Sequence, residues 1–243
     1  MKVLDYEFSE RFDKLYRSAR RKLKRKIVFH PISEHPSEYV RETRGAHYID
    51  EMTVSVFINT DKLDSTVAEI TAAEDIVYSL LRAVDKFPFA LGNTKLDEEK
   101  LFEAEVIAGT MTASIFHLAV FSRLKKRGFW IGAVQEKDTQ ELLGMLSAPG
   151  FQEPPPESLP FYNLVMKYIE TSFYEDIDWK EVAGQYQLKT EVICSVGEEG
   201  IDIVKRYGYN TPKKCLNTFI DLRDLLQIGE KVWIMNAETE LVF

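Results

Sequence analysis

Residues 52–88 read MTVSVFINTDKLDSTVAEITAAEDIVYSLLRAVDKFP, and this stretch holds a strand, a turn and a long helix. Met52–Ile58 alternates, with Val54 and Val56 on one face of a strand. Asn59–Asp64 is a turn into a helix, where Thr66 and Glu69 are spaced as a capping box. The helix runs to about Lys86 and stops before Phe87-Pro88, because the residue ahead of a proline avoids the α region. Its apolar stripe is Val67, Ile70, position 74, Val77, Leu81, Val84, and steps of three and four keep these on one face. Position 74 is a glutamate. An isolated buried carboxylate is costly, so Glu74 must be paired, hydrogen-bonded, protonated or at a cleft. The expectation is a wet cleft. The alternative is a wider stripe in which Ala73 and Tyr78 carry the contact.

Upstream, KIVFHPI at 26–32 reads as a short strand. Before it, Phe8, Phe12, Leu15, Tyr16, Ala19 and Leu23 recur at helical spacing, predicting an amphipathic N-terminal helix. Downstream, a second long helix is predicted over Asp97–Lys126, apolar on nearly every face and ended by Gly128. Phe129–Ile131 and a helix over Thr139–Leu146 follow. Short strands beside two long helices indicate α+β rather than an alternating parallel sheet.

Five of the nine prolines fall between Pro149 and Pro160, and such a run reads as an extended spacer. The predicted organisation is an α+β domain at 1–147, a Pro-rich linker at 148–160 and a mostly helical domain at 161–243. Helices are expected at Pro160–Phe173, Trp179–Tyr186, Thr190–Val196 and Glu199–Tyr207, then one from Thr211-Pro212 to Gly229. Lys231–Met235 and Glu240–Phe243 form a short closing hairpin.

The 243 residues are 45% apolar and 29% charged, an ordinary globular composition. Two cysteines, Cys194 and Cys215, cannot build a disulfide framework or a four-thiolate zinc site. The N-terminus lacks the apolar core of a signal peptide. The most apolar stretch, Val106–Leu124, is interrupted by Thr110, Thr112, Ser114, His117, Ser122 and Arg123. A cytoplasmic protein without a membrane span is expected. Net charge is −8, yet residues 1–30 carry ten Lys/Arg against four Asp/Glu. The basic helix at 11–26 therefore offers Arg20, Arg21, Lys24 and Arg25 as candidate contacts for phosphates or an acidic partner.

From the strand at Phe57-Ile-Asn59, through Leu63-Asp64, to the helix ending Leu80-Leu-Arg-Ala83 before Phe87-Pro88, the chain resembles the zincin-like metallopeptidases of the ImmA/IrrE type. In that group a strand precedes a helix bearing HExxH, whose histidines bind zinc and whose glutamate polarises water. The resemblance places Glu74 on the motif glutamate. The two histidine positions are then Ala73 and Val77, which cannot coordinate a metal. On the next helix, Leu101-Phe-Glu-Ala-Glu105 resembles the segment supplying the third ligand, so Glu103 or Glu105 would hold that place. The resemblance implies a small sheet packed on two long helices, with no metal, no cofactor and Glu74 as a catalytic remnant.

Other chemistry is sparse. His117 lies among apolar residues of the second long helix, as a hydrogen-bonded core residue or a polar group facing Glu74. His30 and His35 sit in a proline-bounded loop. No Ser-His-Asp arrangement or phosphate-binding Gly-rich loop occurs. Residues 179–193 resemble a helix-turn-helix, with Ala183 as the small crossing residue. The acidic residues beyond it, Glu191, Glu198 and Glu199, suit a protein contact better than DNA. The leading expectation is a non-catalytic interaction or regulatory protein whose partner is a protein or peptide. The alternatives are a peptidase-like hydrolase using Glu74 as general base with Glu103, Glu105 or His117, and a nucleic-acid-binding protein using helix 11–26.

Overall fold

A computed structural model of the chain describes residues 1–243, the side chain of Tyr39 excepted. The protein is α+β and divides into two compact units, residues 1–85 with 120–134, and residues 86–119 with 135–243. This partition departs from the expected linear one. Residues 148–160 belong to the second unit, and they are tied down within it. The Glu153 carboxylate accepts the amides of Glu191 (3.2 Å) and Ile193 (2.9 Å). Ser158 caps the helix that Pro160 helps to open. The prolines fix an extended path without making it a free spacer.

The first unit opens with a two-stranded ribbon, β1 (Lys2–Val3) and β2 (Tyr6–Glu7). Helix α1 (Glu10–Leu23) starts where the Ser9 hydroxyl accepts the Phe12 amide and ends at Lys24, whose φ of 54° is left-handed. It buries Phe12, Leu15, Ala19 and Leu23. Strand β3 (Lys26–Pro31), the short α2 (Glu38–Arg41), β4 (Gly45–Ile49) and β5 (Thr53–Ile58) follow. The sheet order is β3-β5-β4, with β3 parallel to β5 and β4 antiparallel at the edge. Ile27, Val54, Val56 and Ile58 are buried on the face that meets the helices. The rings of Phe12 and Tyr16 on α1 lie 6.1 Å from that of Phe29, and α3 (Ser65–Ala83) packs on β4 and β5. The two helices on this sheet are thus α1 and α3: the first of the two long helices expected is there, and α1 stands where the second was expected.

Helix α3 begins differently from the predicted capping box. The Asp64 carboxylate accepts the amides of Thr66 and Val67, as an N-cap should. Glu69 is released to reach Ser9, accepting its amide and its hydroxyl at 2.6 Å each. A local pairing foreseen inside one helix is replaced by a tie between α3 and the start of α1.

In the second unit, β6 (Phe89–Gly92) pairs antiparallel with β7 (Val232–Met235). Ile234 and Phe243 exchange amide–carbonyl bonds at 3.0 Å, so the closing hairpin forms and β6 adds a strand to it. Helix α4 (Glu98–Lys125) crosses the division: residues to 119 belong to this unit, the rest to the first. It is long and apolar enough to cross a membrane, but about two thirds of its most apolar stretch is buried within the protein. Two of its polar groups are satisfied internally. The Thr112 hydroxyl accepts the Ala90 amide at 2.9 Å, and that of Thr110 donates to Asn163 at 2.8 Å.

The remaining helices are α5 (Gly132–Leu146), α6 (Leu159–Thr171), α7 (Trp179–Gln187), α8 (Glu191–Tyr207) and α9 (Pro212–Leu225). Helix α5 starts at Gly132 rather than Thr139, and α8 is one helix where two were predicted. Gly197 and Gly200 explain the second difference. A Cβ on Gly197 would fall 2.3 Å from Cδ1 of Tyr168, and one on Gly200 2.3 Å from Cδ1 of Ile169. The glycines weaken helical propensity, but they let α8 close onto α6, and that packing outweighs the propensity loss.

Candidate functional site

The candidate site of the first unit lies where edge strand β4 crosses α3. From the strand side come Arg44, just before β4, and His47; from the helix come Thr71, Glu74, Asp75 and Tyr78. Glu74 keeps 8% of its side chain exposed and Arg44 19%, and Arg44 Nη2 lies 3.7 Å from Glu74 Oε2. One helical position on, Asp75 Oδ1 accepts from His47 Nδ1 at 3.0 Å, both side chains being 14% exposed. Because an ionised carboxylate only accepts, the His47 proton resides on Nδ1. The His47 ring packs 4.8 Å from that of Tyr78. Two couples thus stand side by side, each a basic side chain from in or just before β4 against a carboxylate of α3.

Gly45 makes this approach possible. A Cβ there would fall 2.4 Å from Thr71 Cγ2, 3.0 Å from the Phe57 carbonyl oxygen and 3.2 Å from Asp75 Oδ2. With a hydrogen at this position the strand lies close enough for its neighbours to meet α3. Gly45→Ala is expected to destabilise the chain by about 1–3 kcal/mol, since backbone stands on one side and a packed helix on the other. Urea unfolding would measure this. A neutral Gly45→Ala would mean that β4 does not need its close contact with α3.

Chemically, an imidazole oriented by a carboxylate is half of a general-base arrangement. The other half is missing: among the described residues the only hydrogen bond of the His47 side chain is to Asp75, so no hydroxyl or thiol nucleophile is engaged. Asp75 Oδ2 and Thr71 Oγ1 are buried without a hydrogen-bond partner among the described residues. No group of three or more His, Cys, Asp or Glu residues placed to hold a metal ion occurs among the described residues. Ala73 and Val77, on either side of Glu74, are fully buried.

Of the other candidate residues, Glu103, His117 and Arg25 have partners elsewhere, while Glu105, Arg20, Arg21 and Lys24 are exposed. Glu103, Glu105 and His117 belong to the second unit, whereas Glu74 belongs to the first. Glu103 Oε1 accepts from Lys231 Nζ at 2.9 Å, and Glu105 is exposed. His117 Nδ1 contacts Glu170 Oε1 at 2.8 Å. Arg20, Arg21 and Lys24 are exposed, while Arg25 Nε donates to the Glu51 carbonyl at 3.3 Å. His30 and His35 both pack on the Phe57 ring, at 5.1 and 4.8 Å. In the helix-turn-helix-like pair, Leu188 is 75% and Val192 42% exposed, which with Glu191 makes an acidic and apolar surface.

Two buried centres escaped the sequence reading. One is the Arg44–Glu74 and His47–Asp75 pairing, for which the only local signal was a carboxylate in an apolar stripe. The other is Glu170, which is 1% exposed and takes hydrogen bonds from Tyr174 (2.6 Å) and Lys167 (3.0 Å) besides His117. Burial pushes the Glu170 carboxyl up, but the Lys167 and His117 charges and the His117 and Tyr174 hydrogen bonds outweigh it. They hold the group well below the usual carboxylate range. No protein-family model, curated protein or solved structure matches the chain.

Proposed function

We propose that the chain is a non-catalytic interaction or regulatory protein, acting in the cytoplasm on a protein or peptide partner and built on a zincin-like scaffold stripped of its metal ligands. The observation carrying this reading is the Arg44–Glu74 pair, 3.7 Å apart and flanked on the helix by buried Ala73 and Val77. A peptidase glutamate of this type works between two metal-binding imidazoles, against a water that the metal activates. Here alanine and valine offer no donor atoms, and a guanidinium stands against the carboxylate. The scaffold part of the reading rests on the resemblance of Phe57–Pro88 and Leu101–Glu105 to that group.

Metal content and hydrolysis test this together. Protein purified without chelators is expected to carry substoichiometric zinc, and to leave a mixed peptide substrate uncleaved. About one tightly held zinc per chain, or peptide cleavage that disappears in Glu74→Gln, would overturn the proposal in favour of a hydrolase.

A further inference from the structure

The first unit brings together two basic runs that are remote in sequence. One is the outer surface of α1. The other is RLKKR at 123–127, the end of α4 and the residues after it. Arg11 joins them: its guanidinium donates to the Gly128 carbonyl and lies 6.0 Å over the Phe129 ring. Between the runs is a shallow cleft of about 520 Å³ whose polar lining is Ser9, Glu10, Arg11, Lys14, Ser18 and Arg127. Glu10 is the one carboxylate there, and it is paired with Lys14 at 2.9 Å.

Steps of three and four along α1 place Arg11, Lys14, Ser18, Arg21 and Lys22 on one face. At 1.5 Å per residue this row extends about 17 Å. Arg21 and Lys22 are exposed and in no ion pair among the described residues. The unit holds 18 Lys/Arg against 15 Asp/Glu, while the rest of the chain holds 13 against 24. The acidity of the whole chain therefore conceals a basic surface.

An exposed aromatic ring closely follows the second run in sequence. Trp130 follows Arg127 by three residues and is 59% exposed, while its neighbours Phe129 and Ile131 are each 4% exposed. The two buried neighbours anchor the segment and hold the indole out alone. A lone exposed indole among cations lacks the apolar surroundings of a membrane-inserting patch, but it meets the requirement for stacking an unpaired base.

We infer that this face of the first unit binds single-stranded nucleic acid, with Arg11, Lys14, Arg21, Lys22 and Arg127 on successive phosphates and Trp130 under a base. A linear row of cations matches a chain of phosphates better than one isolated phosphate. A duplex keeps its bases stacked inside and leaves the indole without a partner.

The test is binding of labelled 12-nucleotide single-stranded RNA and DNA to the full chain, read by fluorescence anisotropy and tryptophan quenching. Affinity should fall with salt with a log–log slope of about −3, as engagement of four or five phosphates requires. Trp130→Ala should weaken binding about 10-fold, and Arg21→Glu with Lys22→Glu at least as much. All three positions are exposed, so circular dichroism should be unchanged. Preference for either single strand over duplex, polyglutamate and phosphatidylserine vesicles supports the inference. It is overturned by no binding at low salt, by equal affinity for duplex, vesicles or polyglutamate, or by a Trp130→Ala protein that binds undiminished.

Discussion

Glu170→Leu is expected to destabilise the chain by about 3–5 kcal/mol, the loss that follows when one partner of a buried ionic cluster is removed. Glu170 is 1% exposed and receives His117, Tyr174 and Lys167 on its two oxygens. Leucine fills the volume but leaves the buried Tyr174 hydroxyl and the His117 imidazole without the acceptor they share. Glu170→Gln keeps an acceptor oxygen, and should cost less, about 1–3 kcal/mol. Equilibrium unfolding at neutral pH separates the two. Equal stability of Glu170→Leu and the parent would mean that the cluster is not buried in solution.

The same carboxylate gives the chain an acid sensitivity of defined sign. Its folded-state pKa lies below the ordinary value of 4.5, so around that pH the unfolded chain binds more protons and stability rises with pH. The contribution is complete above about 4.5 and is lost progressively as pH falls from there toward the lower folded-state value. The melting temperature of the parent should therefore drop more between pH 6 and pH 3 than that of Glu170→Leu. Parallel profiles would remove Glu170 as the source.

Glu74→Leu is expected to cost about 3 kcal/mol, at the low end for a broken buried pair because Arg44 retains 19% exposure. The apolar stripe by itself predicts the opposite, since leucine would continue Val67, Ile70, Val77 and Leu81. Arg44 decides between them: removing the carboxylate leaves a guanidinium facing an apolar side chain. Arg44→Met combined with Glu74→Leu should recover most of the loss, because a buried ion pair is commonly replaceable by packed apolar residues. A gain in stability from Glu74→Leu alone would show that the pair is not a structural tie. Unchanged stability with a lost partner interaction would restore the wet cleft first expected at this position.

Helices were the most legible part of the fold because their determinants are local. Ser9, Asp64, Ser158 and Thr211 each stand directly ahead of an apolar period, and each caps a helix. Strands β4 and β6 were not legible. GAHYI and FALG have little alternation, and each becomes a strand only through a partner brought to it by the fold. The Thr66/Glu69 box failed for a related reason. Asp64 took the Thr66 amide that Glu69 would have accepted, and Glu69 bonds the distant Ser9 instead.

By itself the sequence determined that a carboxylate would sit where an apolar side chain belongs, that Ala73 and Val77 could bind no metal, and that positive charge would concentrate near the N-terminus. Each follows from residue identity and period, which need no knowledge of remote contacts. Tertiary structure alone decided that Arg44 would meet Glu74, that His47 would meet Asp75, that Glu170 would gather His117, and that residues 123–127 would join α1. Such pairings depend on how closely a strand can approach a helix. In the candidate site that distance is set by the missing Cβ of Gly45, whose importance is visible only once Thr71 and Phe57 are found against it.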